Sequence, residues 1–252
     1  MSSRADILKQ RQAEAGQAED EARKSRERTL AMRVQHRRMN QQILDNRKTF
    51  KPCTRETRRC PEARIMLLDT PECCVKHIRH MVAEVAGRLD RAGVDWWIDY
   101  GTLLGYLQFG GLIPWDKDGD FGIHARHREK LLALQNEWNA AGYHATYAPP
   151  RPTQRFRTGD RMKVRLSARN HSNVDIFIWE DRPGGILDRR NYIGADLYKG
   201  REMPRKWVYP LKRGTWDGIE VSLPAEPELL AAHRYGENWQ KPLRVKHPEG
   251  VR

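Results

Sequence analysis

Apolar positions recur at helical spacing through Val75, Ile78, Met81, Val82, Val85, Ala86 and Leu89, which predicts an amphipathic helix. Thr70-Pro71-Glu72 ahead of it supplies a capping hydroxyl, a proline at the first helical position and an acid in the first turn. Gly93 stops it. A strand is expected at Val94–Tyr100, then a short helical segment at Thr102–Gln108 and a strand near Asp120–His124. Leu131, Leu132, Leu134 and Trp138 mark a further helix from about Arg128 to Ala141. Short strands follow at Tyr143–Tyr147, Gln154–Arg157, Met162–Ser167 and Val174–Trp179, and a last helix at Glu226–Tyr235. The pattern predicts an α+β domain whose sheet is largely antiparallel or mixed and flanked by helices.

Residues 4–48 read differently. They are rich in Ala, Glu, Gln, Lys and Arg, with no proline and one glycine, but their apolar residues make no sustained heptad. The expectation is a charged helical or partly disordered extension over residues 1–50, a cysteine-bearing loop over 51–74, and a globular domain over 75–252. Of the formal net charge of +13, residues 1–64 hold +8, with seventeen Lys and Arg against nine Asp and Glu. A basic surface suits polyanions: nucleotide phosphates, anionic glycan polymers, an acidic membrane face or nucleic acid. The first forty residues are polar and carry no secretory pattern, and the longest uncharged run, Tyr100–Trp115, is too short and glycine-rich to cross a bilayer. The expected location is cytoplasmic, with peripheral contact to an anionic membrane or polymer through the basic N-terminal region as an option.

The chemistry concentrates in Asp99-Tyr100-Gly101-Thr102-Leu103-Leu104-Gly105 and Ile113-Pro114-Trp115-Asp116-Lys117-Asp118-Gly119-Asp120. Residues two apart on a strand share a face, so Asp118 and Asp120 can serve one metal cluster, with Asp116 assisting directly or through water. Asp175, alone among apolar neighbours in Val174-Asp175-Ile176-Phe177-Ile178, is expected on an adjacent strand facing the same cluster. It either completes the metal site or accepts a proton from an acceptor hydroxyl. Gathered carboxylates suit Mg²⁺ or Mn²⁺ and phosphoryl transfer, in which a bound cation neutralises developing charge. Gly101 and Thr102, opening a helix, offer amides and a hydroxyl to a diphosphate. Lys163 and Arg165 share one face of their strand and can point at phosphate oxygens. An EF-hand loop needs Gly at its sixth position and Glu at its twelfth, where this chain has Phe121 and His127. No Gly-x-Ser-x-Gly and no P-loop lysine motif is present.

The segment Asp99–Phe121, followed by Val174-Asp175-Ile176-Phe177 and by Tyr209-Pro210-Leu211, Gly218-Ile219-Glu220-Val221, Pro224, Tyr235-Gly236 and Trp239, resembles the LicD family over roughly residues 70–242. That family includes bacterial phosphocholine transferases and the animal proteins fukutin and fukutin-related protein. The resemblance implies a nucleotidyltransferase-like fold. It also implies transfer of a phosphocholine- or phosphoribitol-type group from a CDP-linked alcohol donor to a glycan hydroxyl, with release of CMP. Two rivals stand beside it. One is a nucleotidyltransferase that uses an NTP to modify a small molecule, protein or RNA. The other is an inactive basic scaffold or nucleic-acid-binding protein, disfavoured because clustered carboxylates have no use in a dead site.

All four cysteines, Cys53, Cys60, Cys73 and Cys74, fall in one window. In a cytosolic-looking chain such clustering favours a metal over disulfides, and four thiolates would close a structural tetrahedral Zn²⁺ site. His77 or His80 can replace one thiolate, and buried reduced thiols are the alternative. The arrangement is similar to the zinc loop of fukutin-related protein, which also ends in a Cys-Cys pair.

Overall fold

The stripe from Val75 to Leu89 forms helix α1, Glu72–Arg91, burying Cys74, Ile78, Met81, Val82, Val85, Ala86 and Leu89. Its start differs from expectation: Pro71 is the N-cap and no side chain caps it. The Thr70 hydroxyl donates instead to the Asp116 carbonyl, so the expected cap ties down the acidic loop. The computed structural model describes residues 51–64, 69–149, 160–189 and 202–241. The expected helix over residues 4–48 and the strand Gln154–Arg157 lie outside the described residues.

After α1 come β1 (Trp96–Ile98), α2 (Tyr100–Phe109), β2 (Gly119–His124), α3 (Arg128–Ala140), β3 (His144–Ala148), β4 (Arg161–Arg165) and β5 (Asn173–Arg182). The chain continues through β6 (Ile186–Asp188), β7 (Glu202–Pro204), β8 (Lys212–Trp216), β9 (Ile219–Leu223) and α4 (Pro227–Tyr235). The main sheet runs β1-β2-β5-β4-β3, with β6 and β7 extending from β5. It is mixed: β2 and β5 are parallel, whereas β1–β2, β5–β4 and β4–β3 are antiparallel. The domain is therefore α+β.

Side-chain alternation divides the sheet into two faces. Phe121, Ile123, Val174, Ile176, Ile178, Met162 and Val164 are fully buried and form the core with α1 and α3. The opposite face carries Asp120, Asp175 and Lys163 in one rung across β2, β5 and β4. On that face the Trp97 ring crosses Gly122, its partner in the ladder.

β8 and β9 form a separate hairpin whose two-residue turn is Asp217-Gly218, both with positive φ (49° and 79°). That conformation matches the twist of a tight hairpin, and Asp-Gly is a preferred pair for it. The Asp217 carboxylate accepts two hydrogen bonds from Arg79 of α1 (2.8 and 3.0 Å) and one from the Leu112 amide (3.0 Å), locking the tip to the loop after α2. No helix among the described residues is long and apolar enough to cross a membrane.

A Cβ at Gly122 would lie 2.3 Å from Trp97 Cε2, against a fully buried ring. Gly122→Ala is expected to cost about 1–3 kcal/mol; unchanged urea denaturation would show that the ring can move aside.

Candidate active site

Three short motifs converge where β1 turns into α2. Asp99 is fully buried, is the N-cap of α2, and forms an ion pair with the buried Arg234 of α4. Tyr100 follows with φ of 38°, a region that a side chain rarely occupies. Its hydroxyl accepts a hydrogen bond from Arg189 (2.8 Å), and the Arg234 guanidinium lies 4.0 Å from the ring centroid. The turn is thus held on both sides, and it delivers Gly101 to the acidic residues.

Gly101 N–H donates to Asp120 Oδ2 at 3.1 Å. A Cβ there would lie 2.6 Å from Asp116 Oδ2 and 3.3 Å from Asp120 Oδ2, so only glycine lets both carboxylates close over the helix start. The Thr102 hydroxyl, 2% exposed, accepts from the Asp120 amide at 2.7 Å. Gly101 and Thr102, expected to receive a diphosphate, both engage Asp120 here.

The parallel register sets Asp120 directly beside Asp175. Asp118 lies in the bend just before β2 rather than on the strand, and Asp116 is buried in the preceding loop. Burial, then the charges of Asp116 and Asp175, push Asp118 up to about 7, while Lys163 and Arg59 pull it down. Burial and the charges of Asp118, Asp116 and Asp175 hold Asp120 well above the usual carboxylate range, against the Gly101 amide. Acids raised by burial and then by neighbouring negative charge are an electrostatic setting that a divalent cation relieves, and all their donors are hard oxygens. In donor chemistry the acids suit Mg²⁺ or Mn²⁺.

Lys163 Nζ lies 2.7 Å from Asp175 Oδ2, and Arg161 NH1 lies 3.6 Å from Asp175 Oδ1. Arg165 turns the other way, toward Thr146 Oγ1 of β3 at 3.4 Å. Two residues that the motifs did not single out steady the acidic loop. Arg59 donates to the Lys117 carbonyl, and Thr70 donates to the Asp116 carbonyl while accepting from Lys117 Nζ at 3.1 Å. Burial, then the nearby Arg59 charge, lowers Lys117 to about 8. Neither Arg59 nor Thr70 carried a local signal for this role, and Thr70 read as a helix cap, since both partners lie in a distant loop.

Beside this loop the sulfur atoms of Cys53, Cys60, Cys73 and Cys74 all lie within 4.8 Å of one another. Cys60–Cys73, Cys53–Cys74 and Cys53–Cys73 are separated by 3.2, 3.5 and 3.6 Å. A disulfide needs about 2.05 Å, whereas a tetrahedron with Zn–S of about 2.3 Å has edges near 3.8 Å. All four thiols are free, and burial raises Cys74 to about 12. The cluster can hold a metal ion. His77 Nδ1 is 3.6 Å from Cys53 Sγ, but His80 turns away to the Tyr143 hydroxyl at 2.9 Å.

The model of the LicD/FKTN/FKRP nucleotidyltransferase domain matches residues 93–226, which include the whole of this acidic constellation. The chain belongs to the LicD family. Among curated relatives of this LicD protein, mouse ribitol 5-phosphate transferase FKRP is 28% identical over 181 residues, covering 71% of the chain and 34% of the relative. Mouse ribitol-5-phosphate transferase FKTN is 24% identical over 175 residues, covering 68% and 34%. The LicD chain thus spans about a third of the length of these relatives. Among solved structures, ANT(2")-Ia in complex with adenylyl-2"-tobramycin aligns with a TM-score of 0.38 at 10% identity, over 59% of the chain and 69% of that structure.

Two expectations follow. Because Asp118 keeps its proton up to about 7 in the folded state against an ordinary 3.8, its contribution to stability is full below pH 3.8 and vanishes as the pH rises through about 7. Metal-free protein should therefore lose stability across that window relative to Asp118→Asn, and added Mn²⁺ should remove the loss; parallel melting curves with and without chelator check this. Cys73→Ser should lower both bound zinc and melting temperature, measured by elemental analysis and calorimetry, and a variant unaltered in both would refute a metal at the thiols.

Proposed function

We propose that this LicD protein is a transferase of phosphorus-containing groups, moving a phosphocholine- or phosphoribitol-type unit from a CDP-activated alcohol to a glycan hydroxyl with release of CMP. The observation that carries the reading is the pairing of Asp120 with Asp175 across parallel strands, with Asp116 and Asp118 beside them. Membership of the family and the ribitol phosphate transferase activity named for the relatives support the choice of group.

Asp116, Asp118, Asp120 and Asp175 would hold Mg²⁺ or Mn²⁺. When bound, the cation supplies charge neutralisation at the phosphoryl oxygens. The protein's own residues prepare that site. Gly101 N–H and the Thr102 hydroxyl fix Asp120 at its side chain and its backbone. Lys163 fixes Asp175 by a direct ion pair, and Thr70 and Arg59 fix the loop between Asp116 and Asp118. Preorganised acids need no rearrangement during the reaction, which is where electrostatic catalysis gains most of its effect. The thiol cluster, with Zn²⁺, serves as a structural anchor for the segment that carries Arg59.

The test is calorimetry with CDP-ribitol, CDP-choline, CDP-glycerol, CTP and ATP, each with and without Mg²⁺. Metal-dependent preference for one CDP-alcohol supports the reading and names the donor. Preference for a triphosphate moves the chain to an NTP-using nucleotidyltransferase, and absence of metal-dependent binding refutes both. Asp120→Asn should lower turnover by about 10²–10³-fold or more while circular dichroism stays unchanged; full activity would overturn the assignment of the acidic site.

A further inference from the structure

On the active face of β4 the side chains of Arg161, Lys163 and Arg165 stand opposite Phe177, Asp175 and Asn173 of β5. These three cations are not equivalent. Lys163 is committed to Asp175 at 2.7 Å, and the Asn173 carboxamide, turned with its oxygen inward, accepts from the same ammonium at 3.2 Å. Arg165 reaches outward to Thr146. Arg161 stays beside the acids without being consumed by them. Its NH1 is 3.6 Å from Asp175 Oδ1, beyond hydrogen-bond reach, and its side chain is 26% exposed where that of Asp175 is 7% exposed. Among the described residues the Arg161 guanidinium donates no hydrogen bond to the protein.

A guanidinium offers five N–H donors in a planar fork that matches pairs of phosphate oxygens, and it is more weakly hydrated than an ammonium. A set of four carboxylates repels an incoming diphosphate, so a cation with donors to spare at the border of that set has a direct use. We propose that Arg161 is a phosphate-binding residue of this site, its fork engaging the diphosphate of the nucleotide donor, while Lys163 acts as a positioning residue for Asp175. The inference rests on the transferase reading and deepens it. It transfers the role expected of Lys163 and Arg165 to a neighbour two residues earlier on the same face.

The experiment compares wild type, Arg161→Gln, Arg161→Lys and Arg165→Gln by calorimetry with CDP, inorganic pyrophosphate and cytidine, in saturating Mn²⁺. Loss of a charge-assisted fork should weaken CDP and pyrophosphate about tenfold or more, and leave cytidine unchanged. Arg161→Lys should recover part of the affinity, and Arg165→Gln should match wild type. A melting temperature held near that of wild type separates lost binding from lost folding; should Arg161→Gln melt early, the Lys variant alone decides, and wild-type pyrophosphate affinity there overturns the proposal. Wild-type binding that Arg161→Gln retains overturns the assignment of Arg161 and leaves the transferase reading intact. Wild-type protein that binds neither CDP nor pyrophosphate with Mn²⁺ overturns both.

Discussion

The gathering of Asp116, Asp118, Asp120 and Asp175 around the start of one helix is the constraint to which the acidic half of this domain answers. Burial, and then the neighbouring negative charges, raise the proton affinity of Asp118 and Asp120, and nothing in the packing of a core asks for acids there. The surrounding structure bears the cost piecewise. Glycine at 101 removes the Cβ that would strike Asp116, and its amide and the Thr102 hydroxyl anchor Asp120. Lys163 holds Asp175, and Arg59 and Thr70 hold the loop by its carbonyls. Each of these contacts restricts the freedom of an acid to turn away from its neighbours, so the acids stay gathered.

This explains why parts distant in the chain meet at one loop. The hairpin tip grips Gly110, Leu112 and Arg79 through Asp217, α4 supplies Arg234 beneath Asp99, and the cysteine segment supplies Arg59. The loop from Gly110 to Asp118 is irregular and cannot order itself by ladder hydrogen bonds. Its backbone groups are met instead by the Asp217 carboxylate, the Thr70 hydroxyl and amide, and the Arg59 guanidinium. Position is imported from three separate elements.

Where the signal was local, the sequence was readable. The α1 stripe, the small helix at Tyr100–Phe109 and the alternation that turns Asp175 away from Val174 and Ile176 all arise from periods of 3.6 or 2. What failed has physical reasons. Thr70 looked like a helix cap because capping chemistry is local, but its hydroxyl found a better use in a distant carbonyl. Asp118 was expected on the strand, but the strand begins at Gly119, whose missing side chain leaves room for Val82 and Val174. β8 and β9 went unread because Lys212–Thr215 lacks apolar contrast, although Asp217-Gly218 was a usable turn signal. β6 and β7, three residues each, are too short for any period to register.

The parallel register of β2 and β5 was illegible for a different reason. Which residues of two strands stand opposite one another depends on the crossover between them, here the whole excursion through α3, β3 and β4. A one-residue slip would bury Asp175 against α1 and lift Val174 into the site. The apolar residues on either side of Asp175 thus do two things at once. Val174 and Ile176, fully buried against the helices, make the correct register the stable one, and by alternation they oblige Asp175 to face Asp120. In this fold the core does not merely support the acidic site; through β5 it decides which carboxylates can meet.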